Sequence, residues 1–218
     1  MDGNDTTRRP VAARRSRWAS ATARQLGRTG VRPNQVSVLS VVFAGLGGTA
    51  LISSAHGASG WRIALLIGGA VCMELRLLCN LLDGMLAIEG GMQTRMGVLF
   101  NELPDRISDA VIFVCAGYAI PEVGRGSDLG WAAALLAVMT AYVRALAGSA
   151  GAAQDFSGPM AKQQRMHVLV VACLAEAALI GTGRHGYALA GALLLIITGC
   201  GVTVIRRTLA TARELEAS

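Results

Sequence analysis

The chain contains 218 residues, of which 53% are apolar and only 16% are charged, and its mean hydropathy is +0.48. Soluble domains carry about 25% charged residues, so the composition excludes a soluble globular protein, a disordered chain and a disulfide scaffold. A soluble nucleic-acid-binding protein is excluded too, although Lys and Arg outnumber Asp and Glu by 20 to 14 and the net charge is +6. At about 20 residues per span, we predict an all-α membrane protein with six transmembrane helices, and no nucleic-acid partner.

The N-terminal 32 residues contain eight arginines and no long apolar segment. We predict that residues 1–32 form a basic tail and a juxtamembrane helix, in which Arg14 to Arg28 lies as an amphipathic helix on an anionic membrane surface. The alternative is a partly disordered tail that only sets the membrane topology. Residues 33–210 then form the membrane domain, and residues 211–218 form a C-terminal tail.

Six apolar segments follow the basic tail, and the first and last of them contain no charged residue. The four segments between them contain ionisable residues, which are costly in a bilayer and mark functional sites by default. The predicted spans run from Val36 to Ala55, Trp61 to Ile88, Met96 to Ile120, Leu129 to Ala152, Met166 to Ile180 and Gly186 to Ile205.

The distribution of basic residues between the two sides of the membrane predicts the orientation. With six spans, the side that holds both termini has 14 Lys and Arg residues, and the opposite side has three, namely Arg62, Arg125 and Arg184. Basic residues concentrate in cytoplasmic loops, so we predict a multi-pass protein of the bacterial inner membrane with both termini in the cytoplasm.

Polar and small residues form one stripe on the second span and one on the third, because they recur at intervals of three or four. An antiparallel hairpin would bring the two stripes face to face near the cytoplasmic surface. The first stripe is Arg76, Asn80, Asp83, Gly84 and Ala87, and the second is Gly97, Asn101, Asp105 and Asp109.

The oxygen atoms of Asn80, Asp83, Asn101 and Asp105 suit a hard cation such as Mg²⁺. The alternative is a buried ion-pair network in which Arg76 and Arg106 neutralise the two aspartates. Spacing alone leaves both interpretations open. The small residues likewise permit either close helix packing or the approach of a phosphate group.

The segment from Asp83 to Asp105, DGMLAIEGGMQTRMGVLFNELPD, resembles the signature of the CDP-alcohol phosphatidyltransferase family. That signature reads D-x-x-D-G-x-x-A-R, about eight residues, then G-x-x-x-D-x-x-x-D. The elements RPNQVS at 32–37 and GPMAKQQRM at 158–166 are also similar to family elements that precede the first span and open the fifth. Six membrane helices preceded by a surface helix are the architecture that the resemblance implies.

The sequence departs from the family signature at three positions. Asn80 and Asn101 stand where the family has its first and third aspartates, and Ile88 stands where it has arginine. This pair of asparagines is similar to that of a variant bacterial branch of the family. With asparagine instead of aspartate at both positions, the ligand set carries half the negative charge, so that a second metal ion could be lost. Glu102 and Asp109 are available as replacement carboxylates.

The resemblance implies a transferase of phospholipid biosynthesis. It would move a phosphatidyl or related phosphoalcohol group from a CDP-alcohol, most simply CDP-diacylglycerol, to an acceptor alcohol and release CMP. The metal, Mg²⁺ or else Mn²⁺, would be held by Asp83, Asp105, Asn80 and Asn101, and Asp105 would act as general base.

The resemblance also implies contacts to the substrates. Gly84, Ala87, Gly97 and Asn34 would lie beside the nucleotide, and Lys162, Arg165, Arg144 and Arg95 would contact substrate. For Lys162 and Arg165, plain anchoring at the cytoplasmic face is the alternative.

A homodimer in the bilayer is expected from the resemblance as well. The competing interpretations of the chain are a catalytically silent family member that binds nucleotide or lipid or assembles with a partner, and a small ion transporter. The transporter would require inverted repeats, which the sequence does not show.

Overall fold

The computed structural model describes residues 17–89 and 96–217, and this part of the chain is helical and contains no β-strand. Arg95 and the tail before residue 17, for which we predicted disorder up to residue 13, lie outside the described residues. The helices are α1 (Arg17–Arg28), α2 (Pro33–Ser54), α3 (Ser59–Glu89), α4 (Gly97–Tyr118), α5 (Gly126–Ser149), α6 (Lys162–Leu179) and α7 (Tyr187–Ala217), and a short 3-10 helix, Pro121–Val123, joins α4 to α5.

Within the described ranges, the helices α2, α3, α5 and α7 are long and apolar enough to cross a membrane. The prediction of an all-helical chain with membrane-spanning helices is therefore confirmed. The two other long helices, α4 and α6, are interrupted by charged side chains, so the count of six spans stays a prediction.

Two helices extend beyond the predicted spans. Helix α7 continues past Ile205 to Ala217, so residues of the predicted C-terminal tail are helical, and α6 begins at Lys162 rather than Met166. Hydropathy indicates where a chain leaves the membrane, whereas Arg, Leu, Ala and Glu all favour continuation of a helix in water.

Helix α2 packs against both α3 and α4, and in the described part of the chain α3 and α4 make only marginal backbone contact with each other. Our expectation of a directly packed α3–α4 hairpin is therefore wrong. The reason lies in two adjacent glycines of α2. A Cβ atom at Gly47 would lie 3.2 Å from Cys72 on α3, and one at Gly48 would lie 2.8 Å from the Cys115 Sγ on α4. The narrow face of α2 thus fits between the two helices.

The start of α2 is fixed locally. Pro33 occupies the first turn, where its missing N–H costs nothing, and the side-chain oxygen of Gln35 accepts a hydrogen bond from the Arg32 N–H at 2.9 Å. Helix α1 packs against the end of α3, with Leu26 contacting an apolar cluster that includes Leu86. These contacts bring the RPNQVS element close to the C-terminal half of α3.

Glu176 is buried in the last turn of α6, and its partners are backbone amides that the sequence could not reveal. Its carboxylate accepts hydrogen bonds from the N–H groups of Gly186 at 2.5 Å and Ala188 at 3.2 Å. These donors belong to the unpaired N-terminal turn of α7, where a negative charge is favoured by the helix dipole. Glu176 therefore joins α6 to the start of α7.

Helices α4 and α5 cross at three glycines. A Cβ atom at Gly117 would lie 2.5 Å from the Gly126 carbonyl oxygen and 2.8 Å from the Gly130 Cα. Backbone atoms cannot rotate away as a side chain can, so the crossing depends on the absence of a side chain at these positions.

We expect Gly117→Ala to lower the thermal stability of the purified protein, at a cost of roughly 1–3 kcal/mol, because the added methyl group forces the two backbones apart. Gly191→Ala is the matched control, since no described atom outside its own helix lies within 4 Å of the added Cβ. The melting temperature in detergent measures both. Equal melting temperatures for Gly117→Ala and wild type would contradict this account of the crossing.

Candidate active site

Asp83 on α3 is 3% exposed, and its Oδ2 accepts a hydrogen bond of 2.6 Å from the Ser37 hydroxyl on α2. Its Oδ1 has no hydrogen-bond partner among the described residues, and the same holds for the buried Nδ2 of Asn80 one turn earlier. Buried polar atoms of this kind are rare in proteins and call for a ligand, an ion or water. Ser37 is the site residue that sequence reasoning missed, although it ends the RPNQVS element.

Asp105 on α4 is 5% exposed and faces two cations from other helices. Its Oδ2 accepts a hydrogen bond from the Lys162 ammonium at the start of α6. Arg76 Nη2 on α3 lies 3.6 Å from Oδ1 and donates a hydrogen bond of 3.2 Å to the Asp105 backbone carbonyl. Oδ1 itself accepts no hydrogen bond from the described part of the chain.

Asp109, one turn further along α4, is shared by two arginines. Arg76 Nη2 lies 2.6 Å from its Oδ1, and Arg165 Nη2 from α6 lies 2.7 Å from its Oδ2. Arg76 and Arg165 are 0% and 1% exposed, so neither is open to a substrate in this arrangement. Arg165 also donates to the Thr140 hydroxyl on α5 at 2.8 Å. Arg165, which we predicted as a substrate contact, is thus part of a buried ion-pair network.

The carboxylates of Asp83 and Asp105 and the ammonium of Lys162 lie within direct electrostatic range of one another. Side chains from the two predicted stripes therefore come close to one another, and α2 contacts both of their helices. Charge in the pocket and the layer beneath it balances: the carboxylates are Asp83, Asp105 and Asp109, and the cations are Arg76, Lys162 and Arg165.

The observed ion pairs differ from the buried ion-pair network that the sequence analysis gave as the alternative to a metal site. Arg106 pairs with Glu102 at 2.7 Å and not with Asp105. Arg144 on α5 also binds Glu102, at 2.5 Å. Since Glu102 and Asp109 are each held by two arginines, the expectation that either one replaces a missing metal-ligating carboxylate is wrong.

The segment between α5 and α6 is hydrogen-bonded to α7 and lies beside the candidate site. Arg207 Nε donates to the Ser157 carbonyl at 3.0 Å, and the Ala153 N–H donates to Glu214 at 2.9 Å. Phe156 in this segment lies 4.8 Å from the Arg144 guanidinium, within cation–π range. Arg144 is therefore held between an acid and an aromatic ring at the edge of the site.

Asp155 lies in the same segment, outside the helices. Partial burial opposes its ionisation, but hydrogen bonds from the N–H and O–H of Ser157 and the charges of Arg207 and Arg206 hold the pKa of this carboxyl below its ordinary value. Asp155 is thus ionised at neutral pH and stabilises the turn that presents Phe156.

The remaining predicted site residues are placed less tightly. Gly84 and Ala87 are half-buried on α3, Gly97 is the first residue of α4, and Asn34 is half-buried at the start of α2. The side chain of Asn101 and the whole of Arg95 lie outside the described residues. Among the described side chains, no three from His, Cys, Asp and Glu converge to hold a metal ion. Asp83 and Asp105 each have one buried carboxylate oxygen that accepts no hydrogen bond from the described residues.

The architecture is similar to that of solved membrane enzymes. The phosphatidylinositol phosphate synthase (PgsA1) of Mycobacterium tuberculosis with CDP-DAG bound matches with a TM-score of 0.68 and 23% identity, over 90% of this chain and 94% of that one. The same enzyme in complex with manganese and citrate matches with a TM-score of 0.65 and 24% identity, over 88% of each chain.

Sequence relatives give a consistent result. A phosphatidylinositol phosphate synthase of Streptomyces avermitilis is 27% identical over 193 residues, which cover 86% of this chain and 75% of that protein. The inner membrane protein YnbA of Escherichia coli K12 is 30% identical over 95 residues, so the match spans about half of its length, 46%. No protein-family model matches the chain.

The chain therefore has the fold of a CDP-alcohol phosphatidyltransferase, and its predicted resemblance to that family is confirmed. The proteins to which it is similar include the phosphatidylinositol phosphate synthases of Mycobacterium tuberculosis and Streptomyces avermitilis.

We expect Asp109→Asn to destabilise the protein far more than Asp83→Asn. The first change leaves two buried arginines without their shared counter-charge, which costs about 3–5 kcal/mol, whereas Asp83 accepts its side-chain hydrogen bond from the uncharged Ser37 hydroxyl. Melting temperatures of the two isosteric variants in the same detergent measure the difference. A smaller loss in Asp109→Asn than in Asp83→Asn would contradict the structural role of Asp109.

Proposed function

We propose that the protein is an integral membrane transferase of phospholipid biosynthesis that uses CDP-diacylglycerol as donor. It transfers the phosphatidyl group to the hydroxyl of an acceptor alcohol and releases CMP. One observation carries this proposal: two buried carboxylates, Asp83 and Asp105, come from the two signature stripes, lie within electrostatic range, and each have an oxygen that accepts no hydrogen bond from the described residues.

The donor set fits a divalent metal ion. Oδ1 of Asp83 and Oδ1 of Asp105, which accept no hydrogen bond from the described residues, are hard oxygen ligands of the type that Mg²⁺ and Mn²⁺ prefer, and Asn80 would add its amide oxygen. Asp83, Asp105, Asn80 and Asn101 would hold the ion, which when bound neutralises the diphosphate of the donor. The manganese complex of the mycobacterial synthase is consistent with this assignment.

Asp105 acts as the general base in this proposal. It accepts the proton of the acceptor hydroxyl at a carboxylate oxygen, while the hydroxyl oxygen bonds to the phosphorus of the phosphatidyl group and the bond to the CMP oxygen breaks. The Lys162 ammonium donates a hydrogen bond to Oδ2 of Asp105 and so orients the carboxylate. Its buried position also limits competition from water.

Substrate recognition follows from the surroundings of these carboxylates. The small side chains at Gly84 and Ala87 leave room for the nucleotide beside α3, with Gly97 and Asn34 at the border of the same space. Lys162 reaches the pocket directly, and Arg144 lies at its edge. Arg165 supports the site by holding Asp109, and Arg95 stays a predicted substrate contact.

We further propose that all six long helices cross the bacterial inner membrane and that both termini are cytoplasmic. The charges of α4 and α6 that would oppose insertion are engaged with one another, as in the pairs Asp109–Arg165 and Asp105–Lys162. Helix α1 would lie on the inner surface, where its arginines meet anionic lipid headgroups. A homodimer and the identity of the acceptor alcohol stay predictions.

The reaction is tested by CMP release from the purified protein in detergent, with CDP-diacylglycerol and a panel of acceptor alcohols that includes inositol phosphate, glycerol phosphate and serine. We expect CMP release that requires Mg²⁺ or Mn²⁺ and at least one acceptor. Asp105→Asn should lose roughly 100-fold or more of this turnover, since it lacks the base.

The control for that variant is Asp128→Asn, which removes an exposed carboxylate at the opposite end of the molecule and should retain full turnover. Normal turnover in Asp105→Asn would remove Asp105 from the role of base. Binding of CDP-diacylglycerol without CMP release from any acceptor would instead indicate a catalytically silent member of the family.

Restoring a carboxylate at position 80 should strengthen metal binding. We expect Asn80→Asp to lower the Mn²⁺ dissociation constant about tenfold, because it adds a negative charge beside two existing carboxylates in a buried pocket. The matched control is Gln25→Glu, which adds the same charge on the exposed surface of α1. Equal Mn²⁺ affinities for wild type and Asn80→Asp would show that position 80 is outside the coordination sphere.

A further inference from the structure

We infer that this pocket takes one divalent cation and that the ammonium of Lys162 serves as a second cation, built into the chain. The inference rests on the proposed function, because it concerns how the same site recognises the diphosphate of its donor. It starts from the contact between Lys162 and Asp105 and from the oxygen atoms that are left available around it.

The number of available carboxylate oxygens limits the number of metal ions. Both oxygens of Asp109 are engaged by arginines, and Oδ2 of Asp105 accepts a hydrogen bond from Lys162. Among the described carboxylates of the pocket, this leaves Oδ1 of Asp83 and Oδ1 of Asp105 without hydrogen bonds. Two such oxygens suit one shared cation, whereas two hard divalent cations packed side by side need more negative charge than these groups provide.

Of the described cations that contact Asp105 or Asp109, Lys162 is the one placed to meet an anionic ligand. Arg76 and Arg165 are fully buried and committed to Asp109, whereas the side chain of Lys162 is 17% exposed. Among the described residues, the Lys162 ammonium donates a side-chain hydrogen bond to Asp105. An ammonium has three N–H donors, so hydrogen-bonding capacity is left for a phosphate oxygen. A lysine can therefore bind Asp105 and a diphosphate at the same time.

The backbone holds Lys162 at this position. It is the first residue of α6, where the helix dipole disfavours a positive charge, so its placement there requires a compensating contact. Asp105 provides that contact. The preceding turn is fixed by the hydrogen bond of the Met160 N–H to Thr203 on α7 at 3.3 Å, and Met160 is itself buried.

The charge balance is consistent with this arrangement. Without a metal ion, Asp83, Asp105 and Asp109 are matched by Arg76, Lys162 and Arg165, whereas Glu102 beside them is shared by Arg106 and Arg144. One divalent ion then brings a net charge of about +2, which equals in magnitude the charge of the diphosphate diester in a CDP-alcohol. A second divalent ion would leave an excess of positive charge in a buried site.

The test uses the purified full-length chain with Mn²⁺ and CDP as probes. Electron paramagnetic resonance of unbound Mn²⁺ gives the number of ions per chain, and calorimetry at saturating Mn²⁺ gives the affinity for CDP. We expect one Mn²⁺ per wild-type chain. We expect Lys162→Gln to bind Mn²⁺ more tightly, because the competing ammonium is gone, and to bind CDP more weakly by roughly tenfold or more.

These opposite changes distinguish the inference from a structural role of Lys162, which would weaken both affinities together. Lys162→Arg keeps the charge and should keep most of the CDP affinity, and Arg213→Gln removes an exposed cation on α7 and should change neither value. The variant N80D/N101D/K162Q, which restores both carboxylates and removes the ammonium, should bind two Mn²⁺ ions per chain.

Two Mn²⁺ ions per wild-type chain, or unchanged CDP affinity in Lys162→Gln, would overturn the inference. CMP release is measured on the same preparations, so the two levels of the account can be separated. If the protein releases CMP and binds two Mn²⁺ ions per chain, the inference is contradicted but the proposed reaction is not. One bound ion with no turnover toward any acceptor supports the inference about the pocket and contradicts the proposed reaction.

Discussion

Asp109 binds Arg76 from α3 and Arg165 from α6 through its two oxygens, and the geometry of the whole site depends on this shared ion pair. Charges cannot be left unpaired at this depth, so the three side chains fix the distances between their helices. Arg165 extends the network to Thr140 on α5, and Arg207 on α7 donates to the Thr140 carbonyl at 2.7 Å. Asp105, one turn from Asp109, is held in the pocket as a consequence.

Helix α2 has the complementary role on the other side of the pocket. Its buried face is made of small residues at helical spacing, Ser37, Ser40, Ala44, Gly47, Gly48 and Leu51. This face allows α3 and α4 to pack on the same helix at short distance, and Ser37 near its N-terminal end donates a hydrogen bond to Asp83. The site is therefore a cleft between α3 and α4, closed on one side by α2 and on the other by the start of α6.

Much of this arrangement could be predicted from the sequence. The three- and four-residue spacing of polar groups identified Asp83 and Asp105 as residues of one site, since helical periodicity is a local property. The directly packed hairpin was wrong because the packing of α2 between α3 and α4 depends on which glycines meet which neighbours. The partners of Glu176 were not predictable either, because backbone amides carry no sequence signal. Whether Arg76 and Arg165 bind Asp109 or Asp105 depends on differences of a few ångströms in the positions of these side chains.

The two asparagines give the site its distinct chemistry. With Asn at positions 80 and 101, less negative charge is available for metal ions, and Lys162 occupies one oxygen of Asp105. A charge-neutral pocket of this kind can still bind a diphosphate, provided that a cation joins it from solution. The similarity to phosphatidylinositol phosphate synthases extends to the fold.

The most direct test of the account is an experimental structure of the protein with Mn²⁺ and CDP-diacylglycerol, with the metal located by anomalous scattering. The account predicts a manganese peak within coordination distance of both Asp83 and Asp105, with the diphosphate of the lipid against it. Manganese bound elsewhere, or carboxylates of Asp83 and Asp105 that face different cavities, would contradict it.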